Sequence, residues 1–109
     1  MKTKCLVYVT SPDANTALKL AHSCVKAGLA ACGNVIPGMT SVYEWEGQVR
    51  EEKECVLILK TTEETVDDLT SFLAARHPYE NPCIVAVPMT GGSHKFLEWI
   101  ESEVKDRRG

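Results

Sequence analysis

Residues 32–62 read CGNVIPGMTSVYEWEGQVREEKECVLILKTT. Two β-prone arms flank Glu46-Gly47, a turn signal inside an otherwise strand-like run, so the stretch reads as one long hairpin with arms at 33–46 and 48–60. Each arm, roughly 13 residues long, would extend ~43 Å at ~3.3 Å per residue. A compact chain of 109 residues has a radius of gyration of only ~13 Å and a diameter of ~34 Å. The hairpin therefore outgrows the domain that carries it. A two-stranded ribbon is marginal alone, and its open edges and apolar residues Val42, Tyr43, Trp45 and Val49 invite another chain to pair, most simply a second copy. Pro37-Gly38 marks a bend or bulge where the ribbon leaves its own sheet, because proline has no N–H to give to a ladder.

On the N-terminal side, KCLVYVT (4–10) is a strand ending at Ser11-Pro12-Asp13. Ser11 suits an N-cap, Pro12 the first helical position and Asp13 the positive helix end. Ala14, Ala17, Leu18, Ala21, Val25, Gly28 and Leu29 recur at helical spacing, predicting a helix from 12 to about 28. On the C-terminal side, Thr61 and Glu64 form a capping box, and Val66, Leu69, Phe72 and Leu73 give a second helix its apolar face up to His77. Pro78 stops that helix. CIVAVPM (83–89) is a continuous apolar run, as in strands buried on both faces. Gly91-Gly92 breaks it, and Ser93 caps a last helix with Phe96, Leu97, Ile100 and Val104 inside. The order β-α-β-β-α-β-α predicts an α+β fold over 1–109: a ferredoxin-like split β-α-β antiparallel sheet with a long β2-β3 hairpin and a C-terminal helix.

Length places the chain in a single domain. With 44% hydrophobic and 25% charged residues a folded chain is expected. A net charge of −3 leaves no cationic surplus for nucleic acid or an anionic membrane. Lys105, Arg107 and Arg108 follow the last helical pattern and suit the negative end of its dipole. The apolar stretch after Lys2 and Lys4 covers only Cys5 to Val9, too short for a secretory signal, and no segment approaches the ~20 apolar residues of a membrane span. Five cysteines without a C-x-x-C predict reduced thiols in cytoplasm.

None of His22, His77 and His94 stands three or four residues from another, so no helix offers two imidazoles to a metal. His22 and His94 read as boundary residues. For His77, at a helix C-terminus, two roles are open: an imidazolium on the helix dipole, or, with Glu80 and a neighbouring strand, a cation site. Cys32 reads as a small thiol at a strand start, and Lys60, Thr61 and Thr62 place a cation and hydroxyls at a helix N-terminus where an anion could bind. An acylphosphatase-like hydrolase would need a basic loop after the first strand, whereas Thr10-Ser11-Pro12-Asp13 is acidic. No nucleophile with a base and no phosphate loop is present, so the expectation is not an enzyme.

Leu29-Ala-Ala-Cys32, Asn34 through Ile36-Pro-Gly38, Thr40-Ser41, Tyr43, Trp45-Glu-Gly47, Leu59-Lys-Thr61, His77-Pro-Tyr-Glu80, Ala86 with Pro88, and Leu97-Glu-Trp99 together resemble the CutA family of divalent-cation tolerance proteins. They occur in family order and cover nearly the whole chain. The resemblance implies a homotrimer closed through the long hairpins, an architecture similar to PII signalling proteins, and a cytoplasmic role in tolerance to copper and other divalent cations. It implies cleft residues at Cys32, Tyr43, Trp45, Lys60, His77, Tyr79, Glu80 and Trp99. Candidate metal ligands are His77, Glu80, Cys32 and Cys83, taking copper or another divalent cation that folding does not require. The alternative is a PII-like trimer sensing a small anionic metabolite near Lys60 and Thr61. The chain departs from the family pattern at Gly33, where a β-branched residue is usual, at Cys83, where an acidic residue is common, and at Phe96, where tyrosine is common. Val9 and Arg76 stand where some bacterial members have a cysteine and a histidine.

Overall fold

A computed structural model describes residues 2–105. Its elements are β1 (Lys4–Ser11), α1 (Ala14–Lys26), β2 (Cys32–Trp45), β3 (Gln48–Thr62), a 3-10 turn (Glu63–Thr65), α2 (Val66–Arg76), β4 (Ile84–Pro88) and α3 (His94–Glu103). The strands form one antiparallel sheet in the order β2-β3-β1-β4. This is the split β-α-β order expected from the sequence. No helix among the described residues is long and apolar enough to cross a membrane.

Strand alternation sorts the two faces of the sheet. Cys5, Val7 and Val9 of β1 and Leu57 and Leu59 of β3 point to one face and are buried. Ala17, Leu20 and Cys24 of α1 and Leu69 and Leu73 of α2 close that core. α3 serves the opposite face, where its Glu101 meets Lys4 and its Phe96 lies near Lys60. Beyond α3 that second face is open: Tyr8, Val85 and Val87 are exposed.

The ribbon is as long as its sequence demands. β1 pairs with β3 only from Thr62 back to Cys55, so among the described residues positions 48–54 of β3 have β2 as their sole strand partner. The molecule measures 46 × 27 × 22 Å with a radius of gyration of 14.6 Å. At the tip Glu46 (φ 51) and Gly47 (φ 77) both take positive φ, the mirror-image turn that matches strand twist. The register slips between Ile36 and Met39, and Gly38 in the slip has φ 80. Pro37-Gly38 is thus the expected bulge.

Several local expectations are corrected. α1 starts two residues late because Ser11 remains in β1 and Asp13 is the N-cap, its carboxylate accepting from Thr16 N–H at 2.7 Å. Thr61 does not cap α2. It belongs to β3, and its buried hydroxyl donates to the Leu29 carbonyl at 2.7 Å. The 3-10 turn intervenes, and Thr62 and Thr65 share a hydroxyl hydrogen bond there. β4 is not buried on both faces: it is an edge strand with Val85 51% and Val87 47% exposed. Of the expected inner side of α3 only Ile100 is buried, Phe96 is exposed, and the Ser93 side chain makes no cap bond. Lys105 packs against Gly28, to whose carbonyl its N–H donates, whereas Arg107 and Arg108 lie outside the described residues.

α3 is fastened by an ion pair under the sheet edge. The Lys4 side chain, 2% exposed, donates to Glu101 Oε2 at 3.1 Å and to the Lys2 carbonyl. Removing one partner of a buried pair strands a charge, whereas an apolar replacement of similar length removes the need for the pair. Glu101→Ala is therefore expected to lower the urea midpoint more than Lys4→Met, and an inverted order would refute the assignment. The Lys4 hydrogen bond, foremost among its causes, holds the Glu101 carboxyl below the ordinary glutamate range. A depressed carboxylate stabilises the fold above its unfolded pKa of about 4.3, and that contribution is lost as pH falls through the lower folded value. Wild type should accordingly lose its advantage over Glu101→Ala in strong acid.

Candidate functional site

The turn after α2 is built around His77. Its backbone N–H donates to Leu73 to end the helix, and the ring, 8% exposed, turns back onto the end of β1. Nε2 lies 2.7 Å from the Thr10 carbonyl oxygen, and Nδ1 lies 3.1 Å from the Tyr79 backbone nitrogen. A carbonyl only accepts and an amide N–H only donates, so Nε2 carries the proton and Nδ1 does not. This corrects the expected imidazolium: the ring is a neutral strut between strand and turn, not a cation on the helix dipole.

Tyr79 carries the strut outward. Its ring lies 4.8 Å from the imidazole, and its hydroxyl donates to Glu54 Oε2 at 2.7 Å. Ser41 donates to the other oxygen of the same carboxylate at 2.5 Å. Burial and the Glu54 hydrogen bond push the Tyr79 phenol far above its ordinary value. Tyr43, further along the ribbon, has its phenol raised chiefly by a hydrogen bond to Glu52. His77, Tyr79, Glu54 and Ser41 thus form one continuous array at the root of the ribbon, with the Tyr43–Glu52 pair further out. Trp45 sits at the tip, 58% exposed.

A second cluster lies near the other end of the sheet. Cys32 pairs with Lys60 across the β2-β3 ladder. Lys60 Nζ bonds to Asn34 Oδ1 and stands 5.9 Å from the centre of the Phe96 ring, which stacks on Trp99 at 5.6 Å. The expected anion cradle beside it is not formed. α2 begins at Val66, and Glu63, Glu64, Asp67 and Asp68 crowd its start, so the positive helix end is already met by carboxylates and an incoming anion would face like charge.

The candidate metal ligands are not gathered within one chain. Cys32 is level with Lys60 and Leu6, whereas His77 reaches Thr10, four residues further along β1 and two strands across. That is ~13 Å along the strands and ~10 Å sideways. Cys83 precedes β4 at the opposite sheet edge, and Glu80 lies in the exposed turn. Among the described residues no three His, Cys, Asp or Glu side chains converge as a metal would require. All five cysteines are free. Cys24, whose thiol burial pushes up to about 12, is inert core together with Cys5 and Cys55, while Cys32 and Cys83 are half-buried. Glu54, Ser41 and Asn34 were not among the expected site residues, although Asn34 and Ser41 stand in the segments that carry the resemblance. The hairpin register alone could have put Ser41 near Glu54, but nothing local announces that Tyr79 reaches the same carboxylate.

Fold and site together define a class: α+β proteins with a four-stranded antiparallel sheet, three helices, and a central hairpin that overruns the domain and is braced at its root by a histidine-tyrosine turn. The CutA1 divalent ion tolerance protein family matches over residues 5–103. The chain is 46% identical over 101 residues to the chloroplastic protein CutA of Arabidopsis thaliana, covering 93% of this chain and 56% of that protein. To the divalent-cation tolerance protein CutA of Thermus thermophilus it is 40% identical over 95 residues, 87% of this chain and 92% of that one. The crystal structure of CutA1 from Oryza sativa superposes with a TM-score of 0.94 at 41% identity, covering 96% of each chain. The chain belongs to the CutA1 family of divalent ion tolerance proteins. It spans little more than half the length of the plant relatives it matches.

Proposed function

We propose that this chain works as a cytoplasmic homotrimer in divalent-cation tolerance, copper foremost, as a binding protein and not an enzyme. The observation that carries the reading is the unsatisfied ribbon. Val42 is 64% and Val49 75% exposed at its outer half, and the edge of β4 is apolar and open on the same molecule. A ribbon edge of one copy laid against the β4 edge of the next is a head-to-tail contact, which closes into a ring when the rotation permits. Covering Val42, Trp45, Val49, Val85 and Val87 supplies the apolar burial that the isolated chain lacks.

In this reading the cation sits between copies, because Cys32 lies far from the turn that carries His77, Glu80 and Cys83. His77 joins as a ligand only by giving up one of its two ring hydrogen bonds. A thiolate with a carboxylate suits a borderline or soft divalent ion. The names of the relatives, which speak of divalent-cation tolerance, and the free thiols support it.

Light scattering should give a mass three times that of the 12.0 kDa chain, and replacing Val42 and Trp45 with glutamate should shift it to the single-chain mass. Calorimetric titration with copper should then show binding to the trimer that Cys32→Ala weakens. A stable, folded single-chain species of wild type would overturn the assembly. Unchanged isotherms for Cys32→Ala and Cys83→Ala would overturn the cleft.

A further inference from the structure

We propose that the groove between α1 and the free edge of β2 accepts an extended acidic peptide, which adds to the sheet as a fifth strand. The groove encloses about 520 Å³ and is walled by Leu18, His22 and Val25 on the helix and by Ala31, Gly33 and Val35 on the strand side. β2 is the outermost strand, so along 32–36 its outer edge has no ladder partner. A helix lying beside an unpaired strand edge is the geometry in which peptides bind by strand addition: main-chain bonds give affinity and side-chain pockets give specificity.

Three features fit the occupant. Leu18 and Val25, seven residues apart on one side of α1, are exposed although large and apolar. Gly33 lets the strand backbone sit close on the core under the groove, since a Cβ built there would stand 2.9 Å from Leu59 Cδ2 and 3.4 Å from Ala21 Cβ. A side chain at 33 would therefore push the strand edge away from Leu59 and Ala21 and reshape the groove wall. Charge supplies the third feature. From 14 to 43 the chain carries no aspartate or glutamate, while Lys19, His22 and Lys26 stand on α1, Lys26 and His22 in the groove wall itself. On a chain of net charge −3 this surface is locally basic, so acidic residues flanking an apolar one are attracted and basic peptides are turned away. The ribbon beyond Pro37-Gly38 is separate from this edge, and the groove meets the surfaces invoked for assembly only at Cys32, which also lines it.

The probe is a fluorescein-labelled six-residue peptide of alternating glutamate and valine, titrated with the full chain and followed by anisotropy. Saturable binding is expected. Lys26→Glu, an exposed substitution with no bearing on the core, should weaken it by about tenfold, as should Gly33→Val. A peptide with lysine in place of glutamate should not bind, and one with N-methylated backbone should lose affinity because strand addition needs its N–H groups. No saturable signal, or equal binding by Lys26→Glu, or equal binding of the N-methylated peptide, would overturn the proposal. So would amide exchange showing residues 32–36 protected by pairing with another copy in the peptide-free protein.

Discussion

Replacing His77 with alanine should destabilise the fold by about 2–4 kcal/mol in the absence of any metal. The side chain is buried, and it satisfies the Thr10 carbonyl and the Tyr79 N–H at once. Alanine leaves both without their partner, and each unmade bond in a buried place costs about 1–3 kcal/mol where water cannot replace it. The ring contact with Tyr79 goes too. Urea unfolding at fixed chain concentration measures the loss, and a fixed concentration matters because assembly adds to apparent stability. Tyr79→Phe should cost less, about 1 kcal/mol, because Glu54 keeps its bond from Ser41. A histidine that served only as a metal ligand would give the opposite pattern, with the metal-free midpoint unmoved and cation affinity lost. An unchanged midpoint for His77→Ala would therefore refute the strut.

That distinction bears on how a conserved-looking motif is read. His77-Pro78-Tyr79-Glu80 brings metal-binding types together in sequence, yet the fold spends His77 and Tyr79 on joining β1, the turn and the ribbon root. Only the three-dimensional path shows this, since Thr10 and Glu54 are 67 and 25 residues away. What local chemistry dictates was legible. The turn at Glu46-Gly47, the slip at Pro37-Gly38 and the end of α2 before Pro78 all follow from residues with restricted or unusual φ. Misreadings arose where a tertiary partner outbid a local one. Thr61 looks like a cap but gives its hydroxyl to Leu29, and Ser11 continues the strand because Cys55 pairs with it. The apolar run 83–89 suggested a strand buried on both faces, whereas the chain alone leaves its strand, Ile84–Pro88, at an edge. In the proposed assembly its composition is explained by a neighbour outside the chain, which the period of the sequence cannot distinguish from a neighbour within it.

Leu59→Ala carries the second large expectation, and Gly33 makes it informative. Leu59 is fully buried in β3 beside α1, so truncation should cost about 3 kcal/mol through lost transfer energy and the cavity left behind. Gly33→Val alone should cost about 1–3 kcal/mol, because its Cβ meets Leu59 Cδ2 at 2.9 Å and Leu59, packed on all sides, has little room to turn. The two losses share one volume. In the double variant the valine can enter the space that Leu59 vacates, so the total should fall below the sum by about 1–2 kcal/mol, a coupling expected of residues in contact. Four urea curves with equal slopes complete the cycle. Additive losses would mean that a side chain at 33 does not point at Leu59, and the close seating of β2 on the core beside the α1–β2 groove would then lose its structural basis. Strong coupling would place position 33 directly against Leu59, independently of whether a peptide binds.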